Sequence, residues 1–124
     1  MERETQQRRA IREAFERVRR PLAPQEVLAE AGADAPGLGI ATVYRNVKSL
    51  VDEGWLKPVE LPGQPPRYEL ADIGHHHHFH CTACGKVFDI EGCVGKLGAL
   101  VPKGYELESH DITLYGRCDQ CAER

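Results

Sequence analysis

Apolar residues recur with the period of an amphipathic helix in two segments of the first half of the chain, 7–18 and 41–54. Their apolar faces consist of Ala10, Ile11, Ala14, Phe15 and Val18 in the first segment and Val43, Val47, Leu50 and Val51 in the second. Residues 24–31 predict a shorter helix between them, with Pro24 at its first position. Gly54 is expected to end the third helix.

Two short strands are predicted to follow these helices, "WLKPVEL" at 55–61 and "RYELA" at 67–71, joined by the turn "PGQPP". Three helices followed by a two-stranded hairpin is the order of a winged helix-turn-helix domain. In such a domain the third helix reads DNA. Its polar face here offers Tyr44, Arg45 and Lys48, so the pattern favours a nucleic-acid interface on this face.

The composition changes after residue 72, which divides the chain into a winged-helix domain at 1–72 and a second domain at 73–124. Strands are predicted at 78–82, 86–90 and 105–115, and a helix near 93–101 with Val94, Leu97, Leu100 and Val101 as its apolar face. The predicted fold class is therefore α+β, a winged helix followed by a small domain of helix and strand.

Charge and hydropathy restrict the function classes. The net charge of −3 is unusual for a DNA-binding protein, but residues 1–20 hold seven arginines against four glutamates. Arg8 and Arg9 lie where a basic first helix would meet the DNA backbone or the minor groove. Residues 61–124 instead hold six basic against nine acidic residues. Since no signal peptide or membrane span is evident, we expect a cytoplasmic protein with reduced cysteines.

Four of the five cysteines form two CxxC pairs, Cys81/Cys84 and Cys118/Cys121, which are separated by 33 residues. Two such turns can place four thiolates on one Zn²⁺ ion in a tetrahedral structural site. Disulfides, unrelated buried thiols and a redox-active CxxC are the alternatives. The reducing compartment disfavours disulfides, and the lack of a surrounding βαβ pattern disfavours redox chemistry. Cys93 fits a small core residue as well as a ligand.

The interior run "HHHHFH" at 75–80 is a poor candidate for a tag or for a core segment, because four successive histidines cannot all be buried and satisfied. On an extended segment His75 and His77 point to one face, and His76 and His78 to the other. The spacing predicts two metal sites, one on each face. His80 is either a further ligand or an ordinary strand residue. Candidates for the remaining ligands are Glu69, Asp89, Glu91, Cys93, His110 and Asp111.

Together these motifs resemble the ferric uptake regulator (Fur) family, including its zinc-sensing (Zur) and peroxide-sensing (PerR) branches. The resemblance covers nearly the whole chain. It is carried by "GIATVYRNVKSLVDEG" at 39–54, "RYELADIGHHHHFHCTACGKVFD" at 67–89 and "HDITLYGRCDQC" at 110–121. It implies a metal-responsive DNA-binding repressor that forms a homodimer through its C-terminal domain and binds a palindromic double-stranded operator, with no membrane partner.

The resemblance also implies ligand sets. The hinge-side regulatory site of the family corresponds here to Glu69, His76, His78 and Asp89. The second site of the family corresponds to His75, His77, Cys93 and His110, with Glu91 as the substitute for Cys93. A set of three histidines and one cysteine suits Zn²⁺, whereas two histidines with two carboxylates also suit Fe²⁺ or Mn²⁺.

The chain departs from the family pattern at two positions. A histidine that the family commonly supplies from its DNA-binding domain is absent, since Pro21 stands near that place. This weakens a peroxide-sensing mechanism. Ala71 lies in the region where zinc sensors usually carry a cysteine. The resemblance therefore predicts a repressor, with zinc as the first choice of sensed metal and iron or manganese as the second.

Two other classes remain to be separated from the repressor. An enzyme is disfavoured because neither HExxH nor the HxE and PCxxC pattern of zinc deaminases is present. A cytosolic zinc-buffering protein would explain the histidines and cysteines, but not the basic first helix or the exposed "TVYRNV" segment. Sequence-preferring DNA binding in the presence of metal distinguishes the repressor from the buffer.

Overall fold

The computed structural model describes residues 5–72, 76–92 and 97–122. The chain divides into two compact units, Met1–Ile73 and Gly74–Arg124, and each is described here by itself. Helices and strands are both present, and the predicted α+β class is confirmed. Across the described ranges, no helix is both long enough and apolar enough to cross a bilayer.

The first unit contains three helices and a two-stranded antiparallel hairpin. These elements are α1 (Gln6–Val18), α2 (Pro24–Ala31), α3 (Ile40–Asp52), β1 (Leu56–Val59) and β2 (Arg67–Leu70). Thr5 caps α1, since its hydroxyl oxygen accepts a hydrogen bond of 3.0 Å from the N–H of Arg8. Gly54 adopts a φ of 83° directly after α3, a left-handed conformation that glycine adopts without strain.

The core of the first unit is continuous and apolar. Three helices and the hairpin contribute to it through Ala10, Ile11, Ala14, Phe15, Leu22, Val27, Ala31, Ala35, Val43, Val47, Leu50, Leu56 and Leu70. Trp55 packs edge-on against Phe15 with ring centroids 6.5 Å apart. The predicted stripe of α3 is buried at Val43, Val47 and Leu50, and Val51 is half-buried. This burial leaves the opposite face of α3 towards solvent.

The second unit is built on a three-stranded sheet in the order β4–β3–β5. Its strands are β3 (His77–Cys81), β4 (Val87–Ile90) and β5 (Thr113–Gly116). β3 pairs antiparallel with β4 and parallel with β5. A one-turn helix, α4 (Asp119–Ala122), follows β5 and carries the last cysteine. The central strand β3 therefore carries His77, His78 and His80 of the histidine run together with the first cysteine.

Two predicted elements of this unit differ from the structure. The strand expected at 105–115 is confined to Thr113–Gly116, since residues 105–112 belong to no strand, although the carbonyl of Ile112 accepts a hydrogen bond of 3.1 Å from the N–H of His78. The helix expected near 93–101 falls partly outside the described residues, and Leu97–Leu100 form a single 3₁₀ turn. Of the predicted apolar face, Val94 lies outside the described residues, Leu97 and Val101 are half-buried, and Leu100 is 79% exposed and does not pack within this unit. The apolar period there indicated burial that this chain alone does not provide.

Candidate metal centres and nucleic-acid interface

The four predicted thiols meet at one end of the sheet. The sulfur atoms of Cys81, Cys84, Cys118 and Cys121 all lie within 4.8 Å of one another. β3 ends in Cys81, a turn brings back Cys84, and α4 with the residue before it supplies Cys118 and Cys121. The Sγ atoms of Cys84 and Cys118 are 3.9 Å apart. Tetrahedral zinc with Zn–S bonds near 2.3 Å separates its sulfur ligands by about 3.8 Å, so this cluster fits Zn²⁺.

Backbone groups prepare Cys81 for the thiolate form. The N–H groups of Cys84 and Cys118 each donate a hydrogen bond of 3.4 Å to its sulfur. These contacts lower the pKa of Cys81 from 9.0 to about 5. The neighbouring sulfur of Cys118, together with burial, raises the pKa of Cys121 to about 12. Four adjacent thiolates would therefore need a cation, and a divalent ion such as Zn²⁺ would supply the charge.

A second convergence of ligand atoms involves His76, His78 and Asp89. The two imidazole Nε2 atoms are 3.2 Å apart, and the carboxylate Oδ1 lies 3.2 Å from the first and 3.3 Å from the second. His78 and Asp89 are directly paired across β3 and β4. The alternation of side chains along the extended segment places His76 on the same face as His78.

This cluster has the properties of a cation site. Asp89 Oδ1 is buried and has no hydrogen-bond partner among the described residues, although two ring nitrogens face it. A buried carboxylate oxygen without a partner is costly unless a cation compensates it. Divalent metals bind imidazole nitrogen and carboxylate oxygen at about 2.0–2.2 Å, which places neighbouring ligand atoms near the observed separations. His76, His78 and Asp89 therefore fit three ligands of a metal ion.

Glu69, the fourth residue predicted for the regulatory site, belongs to the first unit. It lies in β2 opposite Lys57 and is 1% exposed. A carboxylate buried to this degree requires a charged or hydrogen-bonding partner, and Glu69 has such an interaction.

The second predicted site is described only in part. His75 and Cys93 lie outside the described residues. His77 and His110 lie together, with ring centroids 5.0 Å apart. The N–H of Ile112 donates to Nδ1 of His77 at 3.3 Å, which leaves Nε2 as the protonated nitrogen of a neutral ring. Coordination through Nε2 would require this contact to change. The substitute ligand Glu91 is exposed.

The sequence left open whether His80 is a metal ligand or an ordinary strand residue. It is 9% exposed, and its ring centroid lies 5.6 Å from that of Tyr115 on the neighbouring strand. Within the described ranges it belongs to no group of three or more converging ligands. The structure therefore places His80 as a strand residue packed against an aromatic ring.

The predicted DNA-reading face of α3 is accessible to solvent. Tyr44 is 50% exposed, Lys48 forms an exposed ion pair with Asp52 at 3.3 Å, and Arg45 donates to the hydroxyl of Thr42 at 2.9 Å. These α3 side chains line one wall of a groove of about 520 Å³, which the sequence reasoning missed. The opposite wall comes from the hairpin and includes Pro58, Pro66 and Tyr68. The i, i+2 spacing of Pro66 and Tyr68, which places both side chains on one face of the hairpin, was the sequence feature that could have indicated this wall.

The two arginines predicted to meet the DNA backbone differ in their surroundings. Arg8 forms an ion pair with Glu53 and donates to the hydroxyl of Ser49 at 3.2 Å, so it holds α1 against the end of α3. The hydrogen bond from Arg8 lowers the pKa of Glu53. Arg9 is exposed. In this structure Arg8 therefore has a stabilising role that any contact with DNA would have to share or replace.

Comparison with known proteins agrees with this arrangement. Residues 2–115 match the model of the ferric uptake regulator family. The ferric uptake regulation protein of Campylobacter jejuni is 34% identical over 103 residues, which cover 79% of this chain and 66% of that protein. The chain thus spans slightly less than two thirds of that relative.

Two solved structures share the fold over most of both chains. The Helicobacter pylori ferric uptake regulator, described as having three functional metal-binding sites, matches with a TM-score of 0.73 and 26% identity over 98% of this chain and 83% of that one. A zinc-bound manganese uptake regulator matches with a TM-score of 0.79 and 27% identity over 94% and 91% of the two chains. The chain belongs to the ferric uptake regulator family of metal-responsive transcription regulators.

Proposed function

We propose that this protein is a zinc-responsive repressor that binds a palindromic DNA operator as a homodimer when its regulatory site is loaded. The observation that carries the proposal is the convergence of His76, His78 and Asp89, with atoms 3.2–3.3 Å apart. The exposed face of α3, with Tyr44 and Arg45, supplies groups that suit base edges in the major groove.

In this proposal Glu69 completes the regulatory site from the winged-helix unit. The resemblance to the family implies this ligand, and the bound ion would then have ligands from β2 as well as from the histidine run. Its binding would favour one arrangement of the recognition helices only if it bound that arrangement more tightly than the others. The expected consequence is a shift of population towards the state that binds DNA.

Zinc is the first choice of regulatory metal because imidazole nitrogen and thiolate are ligands that this borderline-soft ion prefers. The second site, with His75, His77, Cys93 and His110, adds to that preference. The cysteine cluster is proposed to hold a separate structural Zn²⁺ that stabilises the second unit. These roles place structural zinc at Cys81, Cys84, Cys118 and Cys121 and regulatory zinc at the histidine sites.

An iron- or manganese-responsive repressor is the second candidate. Two carboxylates and two imidazoles form a harder ligand set that also suits Fe²⁺ and Mn²⁺. The relatives agree with either choice, since one is named for ferric uptake and another is a zinc-bound manganese uptake regulator. A peroxide-responsive mechanism is weaker because Pro21 stands where the family commonly supplies a histidine to the metal.

The test is fluorescence anisotropy of a labelled DNA fragment taken from upstream of the protein's own coding region. The protein is treated with a chelator that leaves the Cys-bound zinc in place, and is then titrated separately with buffered Zn²⁺, Mn²⁺ and Fe²⁺. A scrambled duplex of equal length serves as the control for non-specific binding, and salt is held constant.

Tight binding that appears only with low free Zn²⁺ is the expected result. A response to Fe²⁺ or Mn²⁺ with Zn²⁺ inert would favour the second candidate and retain the repressor. Equal binding of both duplexes, or no dependence on any metal, would contradict the repressor and favour a zinc-buffering protein.

A further inference from the structure

One carboxylate in the first unit lies close to two arginines and accepts a hydrogen bond from one backbone N–H. Glu26, in the first turn of α2, lies 3.0 Å from Nη2 of Arg20 through Oε2. Its other oxygen, Oε1, lies 3.9 Å from Nε of Arg67 and accepts a hydrogen bond of 2.9 Å from the backbone N–H of Ala23. We call Arg20, Glu26 and Arg67 the α2–hairpin clamp.

The clamp joins the start of α2 to the second strand of the hairpin. Arg20 precedes α2, while Arg67 is the first residue of β2. Beside them, Leu22 and Tyr68 exchange two backbone hydrogen bonds of 2.8 and 2.9 Å. Only 12% of the Arg20 side chain and 10% of the Arg67 side chain are exposed. Charges this well shielded interact more strongly than surface pairs, and they are costly to separate.

Arg67 lies between two residues that face the groove beside α3. Pro66 and Tyr68 line the hairpin wall of that groove, and Tyr44 and Arg45 line the α3 wall. Successive side chains of a strand point to opposite sides. The side chain of Arg67 therefore points away from the groove, towards Glu26, while its neighbours Pro66 and Tyr68 point into the groove. Holding Arg67 against Glu26 therefore fixes the position of Pro66 and Tyr68 relative to α3.

We propose that Glu26 and Arg67 are positioning residues for DNA binding. They set the distance between the hairpin wall and the recognition face of α3, and neither needs to contact DNA. The inference rests on the proposed function, because it assigns a structural requirement to the same DNA-binding face.

The alternative is that Arg20 and Arg67 bind a DNA phosphate directly and Glu26 only offsets their charge. The two roles predict opposite changes in DNA affinity when the charge of Glu26 is removed. Removing the negative charge of Glu26 would strengthen binding to every duplex if the arginines met phosphate, because an additional cationic group would attract the backbone. Under the positioning role, the same change weakens binding to the preferred duplex and leaves non-specific binding nearly unchanged.

The experiment compares Glu26→Gln with Glu30→Gln in the full-length, metal-loaded protein. Glu30 lies in the same helix and contacts Arg17 at 3.4 Å in an exposed pair away from the hairpin, so it is a matched control. Glutamine keeps the size of the side chain and one oxygen that can accept from Ala23. Affinity is measured for the upstream DNA fragment and for the scrambled duplex. Thermal unfolding, followed through the single Trp55, verifies that each variant is folded.

Glu26→Gln is expected to weaken binding of the upstream fragment about tenfold and to leave the scrambled duplex unchanged, while Glu30→Gln alters neither. The double variant Glu26→Gln, Arg67→Gln should be no worse than the more affected single variant. If Glu26→Gln is not folded, Arg67→Lys replaces it, because lysine keeps the charge but loses the planar guanidinium geometry.

Equal affinities for Glu26→Gln and Glu30→Gln, with normal wild-type binding, would overturn this inference alone. Tighter binding of both duplexes by Glu26→Gln would overturn it in favour of phosphate contacts. Failure of the wild-type protein to prefer the upstream fragment with any metal would overturn the proposed function, and this inference with it.

Discussion

The two units of this chain bury different kinds of side chain. Among its described residues, the first unit has a continuous apolar core drawn from its three helices, its hairpin and the segments that connect them. In the second unit, the buried hydrophobic residues of the described ranges are Cys81, Val87 and Cys118, and His77 and His80 are buried beside them. The first unit thus buries mainly apolar side chains, whereas the second buries mainly cysteine and histidine, whose side chains are able to bind metal.

This difference indicates two sources of stability. Burial of apolar surface stabilises the first unit without any ligand. The second unit is too small to gain as much from burial, and small domains of this kind are usually stabilised by metals, disulfides or association. Leu100, Tyr105 and Leu107 are exposed in the isolated chain, consistent with a surface that a dimer would cover.

Removing one thiol should have the largest effect and should be confined to the second unit. Cys81→Ser is expected to abolish stoichiometric zinc binding and the folding of β3, β4 and β5, because structural zinc contributes on the order of 10 kcal/mol to small domains. Elemental analysis and circular dichroism measure the two effects. Ala83→Ser, at an exposed position between Cys81 and Cys84, is the control and should retain zinc. Normal zinc content in Cys81→Ser would contradict the assignment of this cluster.

A cavity in the first core should give the next largest effect, without any change in zinc content. Leu50 is 1% exposed, so Leu50→Ala should destabilise the first unit by about 2–5 kcal/mol. Urea unfolding followed by Trp55 fluorescence measures this loss. Leu114→Ala, at a half-exposed position of β5, is the control. Loss of zinc from Leu50→Ala would show that the two units do not have separate sources of stability.

Neutralising the carboxylate of the histidine cluster should affect metal response more than folding. Asp89→Asn removes the charge that faces His76 and His78, so we expect regulatory metal affinity to fall at least about tenfold while the Cys-bound zinc remains. Isothermal titration of the chelator-treated protein gives this affinity. Glu106→Gln, at an exposed position of the same unit, is the control. Unfolding of Asp89→Asn would assign this cluster to structure and not to sensing.

The ion pair between Arg8 and Glu53 should give the smallest effect. Arg8 holds the pKa of Glu53 below its ordinary value of 4.5, so this contribution is present above pH 4.5 and is lost as the pH falls through the lowered pKa. Glu53→Gln should therefore be slightly less stable than the wild type at pH 7 and indistinguishable from it at strongly acidic pH. Thermal unfolding at both pH values measures the difference. Equal stability at pH 7 would leave this pair without a structural role.

The sequence predicted local elements well where one unit buries its own apolar face. The stripe of Val43, Val47 and Leu50 predicted α3, and Gly54 its end, because the helical period and the core agree. The prediction was wrong for Leu100, which the apolar period assigns to a buried face but which is 79% exposed in the isolated chain. Periodicity indicates that a face is to be covered, but it does not say by what.

The candidate site was predictable to the extent that neighbouring residues form it. The alternation of the histidine run predicted that His76 and His78 share one face; in the structure their Nε2 atoms lie 3.2 Å apart, while Nδ1 of His77 accepts from the N–H of Ile112. The CxxC spacing identified four thiols, but not the backbone N–H groups that donate to Cys81. The α2–hairpin clamp was missed because Glu26 and Arg67 are brought together by tertiary packing alone.

Hydrogen–deuterium exchange with mass spectrometry, before and after complete metal removal, tests the comparison of the two units most directly. Exchange is expected to rise by orders of magnitude in β3, β4 and β5 once the thiols and imidazoles have lost their ions. The buried segments of α1 and α3 should retain their protection under the same conditions, because their core contains no metal ligand. Unchanged protection in the second unit would contradict the account, as would equal loss of protection in both units.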